Sequence, residues 1–587
     1  MLQEVLLQIY SKIEQRPIEV SLALILVYSI YFFILYPFFL SPLRKIPGPY
    51  LFRISKVFAL YGQWRHQWIS TVYELHKQYG SIVLISPTEV SFGGDLKYVQ
   101  DIYVNNFPKG SFYSQYKNHG EDNIFTSLNS KSHLKNKKLI MHLYSKSALL
   151  SSESSFRKFL ARKIRTLVRQ IHLTSVSGSE PDYFNAKSEL NEFGKGHNDG
   201  GRWFNKSNKI QNLGIDVYSL FGSLSMDVIT AFELGEKHGT NMLEQKGQRK
   251  VMYDHRKLVG MVFWTTLMPK FWNLAANKEL QMAKRTVNEW LLNLYRKKEI
   301  DSRIQLEPCL SVFETLKKKG IQGNKAYSFL SDNIFAGHET TAVQLTYITY
   351  ELSRKNNRSV VENLTKEIVQ TFGKPLSEDD IIDDFEKVDK LEYLNAIVQE
   401  NLRVHSSIPG AEPRVASCLY RVTLESGDVA SIPKGTVVSC LPYSLHRQSR
   451  VFPNPQRFLP ERWLRNGSES KEQYLERVKI QQKFMMPFGK GIRMCLGMNI
   501  ALLEIKLTLV NLYWRFYSRV CEDWASSASY SPEEKLPHAI DITTPQATEG
   551  SNDEEKMRMV DLRAIRPLHD ECWLEWYDNE SRILLSF

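Results

Sequence analysis

A chain of 587 residues, 43% hydrophobic and 24% charged, is long enough to bury a large core and too ordinary in composition to be fibrous or wholly disordered. Its formal net charge of +12 leaves an anionic membrane or an acidic protein open as partners, but no zinc-finger spacing, RNA-binding aromatic strand or helix-turn-helix signature accompanies it, so no nucleic acid is expected. The cysteines at 309, 418, 440, 495, 521 and 572 are scattered, with no CxxC pair, which argues against a disulfide scaffold or zinc site and fits a reducing compartment.

The run from Val20 to Leu43 carries no charged residue and is longer than the roughly 20 residues that span a bilayer as a helix. Tyr28, Tyr31 and Tyr36 suit the interfaces, and Pro37 and Pro42 predict where the helix gives way. The run is too long for the apolar part of a cleaved signal peptide, and no small-residue cleavage site follows. Lys12 and Arg16 precede it, and Arg44, Lys45, Arg53 and Lys56 follow. The positive-inside tendency then places residues 1–19 in the lumen and the bulk of the chain in the cytosol. Residues 44–50, including Pro47-Gly48-Pro49, read as a stiff basic hinge.

Beyond the hinge, 51–587 reads as one large, mainly α domain with small β-sheets. The spacing predicts a helix from Trp64 to Tyr79, then a hairpin from Gly80 to Phe92. Residues 211–352 are mostly helical by periodicity. Short strands are expected over 419–440, with a turn at Ile432-Pro433-Lys434-Gly435, and again at Cys572 to Trp576. The polar stretches 172–209 and 522–557 are expected to be loose insertions.

Three segments carry chemistry. In Ala336-Gly337-His338-Glu339-Thr340 a glycine interrupts a helical run, at roughly 1 kcal/mol relative to Ala. The Thr340 hydroxyl can bond back to the Ala336 carbonyl and open a notch, and Glu339 can relay protons through water. Glu400 and Arg403 stand at i and i+3 among apolar residues, which suits a buried pair. Phe488-Gly489-Lys490-Gly491-Ile492-Arg493-Met494-Cys495-Leu496-Gly497 is a glycine-rich loop around one cysteine, running into the apolar helical stretch Met498 to Tyr513. Glycines let such a backbone approach a flat ligand, and orphan amides at a helix start favour a thiolate.

Those three segments, in this order, resemble the fixed motifs of cytochrome P450 monooxygenases, and the style of Phe107 to Tyr113 and Asn333 to Thr341 resembles the filamentous-fungal microsomal type. The basic stretch and Pro-Gly-Pro also resemble the hinge of microsomal members. The resemblance implies a P450 fold behind one transmembrane helix, with haem b held by Cys495 as axial thiolate. It implies Phe488, Gly489, Gly497 and Arg493 around the haem, with Arg414, His133 and Lys137 as further contacts. Lys137 stands where the family usually has arginine, keeping the charge but losing the fork. Glu339 and Thr340 are implied as the pair that feeds protons to dioxygen, and Arg462 as the third member of a structural triad with Glu400 and Arg403. The substrate region is expected near Ser111 to Thr126, Phe263 to Leu267, Phe335 and Ala336, and Ser406 to Glu412, all suiting a lipophilic molecule. The implied activity is insertion of one oxygen atom from O2, in a tailoring step of fungal secondary metabolism. Electrons would come from NADPH through NADPH–cytochrome P450 reductase at the endoplasmic reticulum membrane. Two rivals remain: a haem-thiolate isomerase or dehydratase needing no reductase, which the presence of Thr340 disfavours, and a membrane-anchored haem-binding protein without turnover.

Overall fold

The computed structural model describes residues 16–151, 154–174, 214–304, 311–526, 539–540, 552–562 and 564–579. The apolar segment forms α1 (Pro17–Ile30), which continues without a break as π-helix over Tyr31–Leu40. The helix therefore does not give way at Pro37, as the sequence suggested. Proline has no N–H to give an α-ladder, and the wider turn re-registers the bonding so that Ser41 N donates to Tyr36 O at 2.7 Å. The 24 residues Pro17–Leu40, of which only Pro37 is buried, form a candidate membrane span. Residues 1–15 of the expected lumenal segment lie outside the described residues.

The hinge is docked, not free. Ile46 is buried, Pro47 O accepts from Leu84 N at 2.8 Å, and the Arg53 guanidinium caps the carbonyls of Leu43, Arg44 and Ile46. A Cβ at Gly48 would lie 2.5 Å from Leu84 O, so this contact needs glycine.

The predicted helix before the hairpin is two pieces, Val57–Trp64 and α2 (Trp68–Tyr79). The break falls at His66, whose φ is +55° and whose Nδ1 contacts Asp561 O at 3.1 Å, a tie the local sequence does not contain. The hairpin is β1 (Ile82–Ser86) with β2 (Glu89–Phe92). Every β1 residue is buried, so the strand is covered on both faces and does not alternate between core and solvent.

Helices α3 (Ser130–Ile140) and α4 (Ser155–Thr174) lead to the residues not described. The chain resumes with β3 (Ile215–Asp216), α5 (Val217–Leu234), α6 (Lys250–Gly260), α7 (Lys278–Ile304), the 31-residue α8 (Gly323–Ser353), α9 (Arg358–Phe372) and α10 (Glu392–Val404). The α5 helix is apolar enough to cross a bilayer but wholly buried, as a core helix is. It packs along α8, where Gly337 makes room: a Cβ there would come within 2.8 Å of Ile229.

Strands β4 (Arg414–Val415), β5 (Tyr420–Thr423), β6 (Val429–Ile432) and β7 (Val437–Cys440) follow. The expected turn at Gly435 takes φ +93°. The first sheet has the order β1-β2-β7-β4, with β2 and β7 parallel. Then come α11 (Lys471–Phe484), α12 (Met498–Arg515) and β8 (Phe516–Val520), with β9 (Ala539–Ile540), β10 (Met559–Val560) and β11 (Trp573–Asp578) closing the chain. β11 pairs with β8 and β3. One core cluster runs from Leu43 to Trp576.

Of the expected loose insertions, 175–209 lies outside the described residues, while Ser155–Thr174 is helical into its start. In the second, Glu522–Ser526 and Asp553–Lys556 are helical turns, and Asp553 and Lys556 are buried. Those parts are ordered because Tyr350 OH donates to Asp553 Oδ2 at 2.8 Å and the Lys556 ammonium meets the Trp524 carbonyl. Residues 527–538 and 541–551 lie outside the described set. Cys418, Cys440, Cys495, Cys521 and Cys572 are free thiols.

Candidate functional site

A cavity of about 670 Å³ opens between α8 and the cysteine loop. Gly489 (φ +69°) and Gly491 (φ +70°) turn the loop, and a Cβ at Gly491 would stand 2.2 Å from Tyr103 O. Gly491→Ala therefore meets both a forbidden conformation and a backbone clash, and is expected to cost at least about 1–3 kcal/mol. Thermal unfolding and haem content of the purified variant check this; an unchanged midpoint would refute the tight fit.

Cys495 N donates to Phe488 O at 2.8 Å, which closes the loop. The Cys495 thiol lines the cavity. Burial pushes its pKa up, while the amides of Gly497 and Met498, at the start of α12, pull it down. Phe488, Gly489 and Gly497 line the same wall. Lys137 donates to the carbonyls of Ile492 and Met494, both at 3.1 Å, so it pins the loop as well as facing the cavity.

One rim of the cavity is crowded with cations. Arg493 donates to Ser127 O at 2.7 Å and Leu128 O at 2.6 Å, yet its Nε is buried without a partner. Arg414 on β4 reaches Tyr113 OH at 2.9 Å and Glu412 Oε2 at 3.3 Å. His133 on α3 is buried with Nδ1 unpaired. Lys109 donates to Phe125 O at 2.6 Å between the rings of Tyr113 and Phe125. Burial and mutual repulsion push three of these groups down: Arg493 to about 10, Lys109 to about 7 and His133 to about 3. Such a cluster suits a ligand carrying two negative charges. The two propionates of haem match it, and the Cys495 thiol at the cavity wall completes a fitting donor set.

The α8 face follows helical spacing. Asp332, Ala336, Thr340 and Gln344, each four residues apart, all line the cavity. Thr340 Oγ1 donates to Ala336 O at 2.7 Å, as the sequence predicts, and its own carbonyl accepts from Ser407 Oγ at 2.8 Å. Glu339 lies one residue off this stripe and is not among the described residues lining the cavity. Its carboxylate points to the α5 side, accepting from the Tyr218 hydroxyl beside His338 and Arg256. Burial works against that charge, and His338, Arg256 and the Tyr218 hydrogen bond overcome it, holding the pKa below the usual carboxylate range. The structure thus puts Thr340 in the cavity and Glu339 behind the helix.

Glu400 is fully buried and accepts from Arg403 Nη2 at 2.7 Å, Arg403 Nε at 2.9 Å and Arg462 Nε at 3.0 Å. Trp463 Nε1 and Leu459 N, both at 2.9 Å, complete its shell. All members of the triad meet, away from the cavity lining among the described residues.

The expected substrate segments supply Tyr113, Phe125, Phe263, Ala336 and Ile408 to the wall; Phe335 instead stacks flat on His255 at 4.1 Å. Glu412, at the end of the expected segment Ser406 to Glu412, lines the cavity too, while sequence reasoning missed Lys109 and Asp332. Asp332 was recoverable by counting back two turns from Thr340, but Lys109 carried no local signal.

A family model described as Cytochrome P450 matches residues 199–535. Among curated relatives, Cytochrome P450 monooxygenase orf2 of Aspergillus niger is 26% identical, over 81% of this chain and 86% of its own length. Cytochrome P450 monooxygenase hkm5 of Aspergillus hancockii is 27% identical, over 84% and 88%. Cytochrome P450 monooxygenase efuB of Hormonema carpetanum is 27% identical, over 87% and 92%.

Proposed function

The chain belongs to the cytochrome P450 family, and from that premise we propose that this monooxygenase hydroxylates a lipophilic small molecule at the endoplasmic reticulum membrane, drawing electrons from NADPH through a flavoprotein reductase. The observation that carries the reading is that the Cys495 thiol and the Thr340 notch open on one cavity. Cys495 would hold the haem iron. Arg493, Arg414, His133, Lys137 and Lys109 would face its carboxylates. When bound, the haem supplies the one-electron chemistry that splits dioxygen.

The protein's part is position, dryness and protons. Phe112, Tyr116, Ile124, Phe125 and Phe263 offer an apolar wall that favours a lipophilic substrate and excludes water. Lys56, Gln63, His66 and Trp68, which follow the anchor closely in the chain, also line the cavity, supporting entry from the membrane side. Thr340 Oγ1 donates to Ala336 O, leaving its oxygen free to accept a proton donor and pass the proton on. Glu339 would keep a negative charge behind Thr340; it joins the relay only if its side chain leaves Tyr218. A place in secondary metabolism remains part of the same proposal.

A carbon-monoxide difference spectrum, with NADPH consumption and product measured in the presence of added reductase, tests this. A thiolate-type Soret shift with NADPH-dependent product is expected. No shift, or a shift without such product, would refute it. Thr340→Ala is expected to lower product formation about 10²-fold, the lower end for a positioned proton-transfer group, while NADPH consumption continues and peroxide appears. Tight coupling in that variant would remove Thr340 from the relay.

A further inference from the structure

On the face of α8 turned from the cavity, ligand-type groups converge with unpaired atoms. His338 is fully buried and neither of its ring nitrogens makes a hydrogen bond. Glu339 Oε2 and the Nδ1 of His255, from α6, are unpaired too. One ligand atom from each of the three residues lies within 4.8 Å of the others, and His338 Nδ1 stands 3.6 Å from Glu339 Oε2. Buried polar atoms in a close-packed interior rarely go unused, and several in one spot point to an occupant.

We propose that His255, His338 and Glu339 form a site for a borderline divalent cation of the zinc class, cross-linking α6 to α8. The donor set is two imidazoles and a carboxylate, which zinc takes readily. Ligand bonds of about 2.0–2.1 Å in a tetrahedral shell put donor atoms roughly 3.4 Å apart. The His338–Glu339 pair is close to that spacing, and the third ligand has only a short way to move. The outer shell is already built. The Tyr218 hydroxyl occupies Oε1 of Glu339 and leaves Oε2 for the metal. The His255 ring is held flat on Phe335, with an interplanar angle of 3°.

The neighbouring charges bear on this directly. The Arg256 guanidinium lies 3.9 Å over the Tyr218 ring and donates to Tyr218 O at 3.4 Å, and Arg566 also faces the cluster. Both repel a cation, but Asp216 and Asp570 act on the same group of residues and balance them, so that Glu339, itself a ligand, supplies the net negative charge. A cation there would tie the oxygen-side helix to α6, whose Val259 and the following Val262 and Phe263 line the cavity.

The test counts two metals in one sample, so its result is independent of the monooxygenase reading. Purified holoenzyme is equilibrated with low-micromolar Zn2+, dialysed, and assayed by elemental analysis for zinc beside haem iron. Wild type is expected to retain zinc equimolar with the chain. His255→Phe, which keeps the stack on Phe335, and His338→Asn are each expected to lose it while the carbon-monoxide spectrum persists. A wild type that retains no zinc, as it would if the site held only a water, overturns the proposal. So does zinc held at the wild-type level in whichever variant folds.

Discussion

Cys495→Ser is expected to give a protein that still sediments with membranes but shows no thiolate-type carbon-monoxide spectrum and no NADPH-dependent product. A serine fits the same loop, because the closing bond runs from the residue-495 backbone N–H to Phe488 O and does not use the side chain. The Lys137 contacts to Ile492 O and Met494 O are likewise untouched. The oxygen, however, is far more basic than a thiolate, and the amides of Gly497 and Met498 are not enough to ionise it at neutral pH. A haem held by residue 495 would then lack the thiolate electron density that favours splitting of dioxygen. The measurement is the difference spectrum and turnover on material matched for membrane-bound protein. Retained turnover in Cys495→Ser would refute the ligand assignment, and with it the whole functional reading.

Glu400→Ala is the second large effect, and it acts on folding. Both oxygens of this buried carboxylate are used, by two guanidinia, an indole N–H and a backbone N–H. Removing it leaves Arg403, fully buried, and Arg462 facing each other without a counter-charge. Breaking a buried pair in this way costs about 3–5 kcal/mol, a large part of the roughly 5–15 kcal/mol that separates folded from unfolded protein. Little holoprotein should accumulate, measured as haem per total expressed chain. Arg285→Ala provides the contrast. Its partner Glu289 is 57% exposed and Arg285 is 74% exposed, so the change should leave the amount of holoprotein essentially unaltered. Equal losses in the two variants would mean that the triad does not hold this core.

Other ties in the core show how much depends on residues far apart in the chain. Lys109, His133, Arg414 and Arg493 come from separate elements spread over most of the chain, yet repel one another at one rim. No local pattern announces such a meeting. The excess of basic groups at that rim follows only from their placement together in a poorly solvated spot.

The amino-acid order alone settled whatever depends on neighbours within a turn or two. The candidate membrane span follows from an unbroken apolar run, the Thr340-to-Ala336 bond from a four-residue step, the Glu400–Arg403 pair from a three-residue one, and the cysteine loop from glycines at fixed places. Folding decided the rest. The motif implies Glu339 and Thr340 as a pair, but a helix turns about 100° per residue, and α5, with Tyr218, holds the carboxylate on the side away from the cavity. The helix break at His66 answers to Asp561, and the ordered ends of the second insertion answer to Tyr350 and Trp524. Local order specifies which chemistry a segment can offer; which way each group finally faces is fixed by packing partners well beyond its own element in the chain.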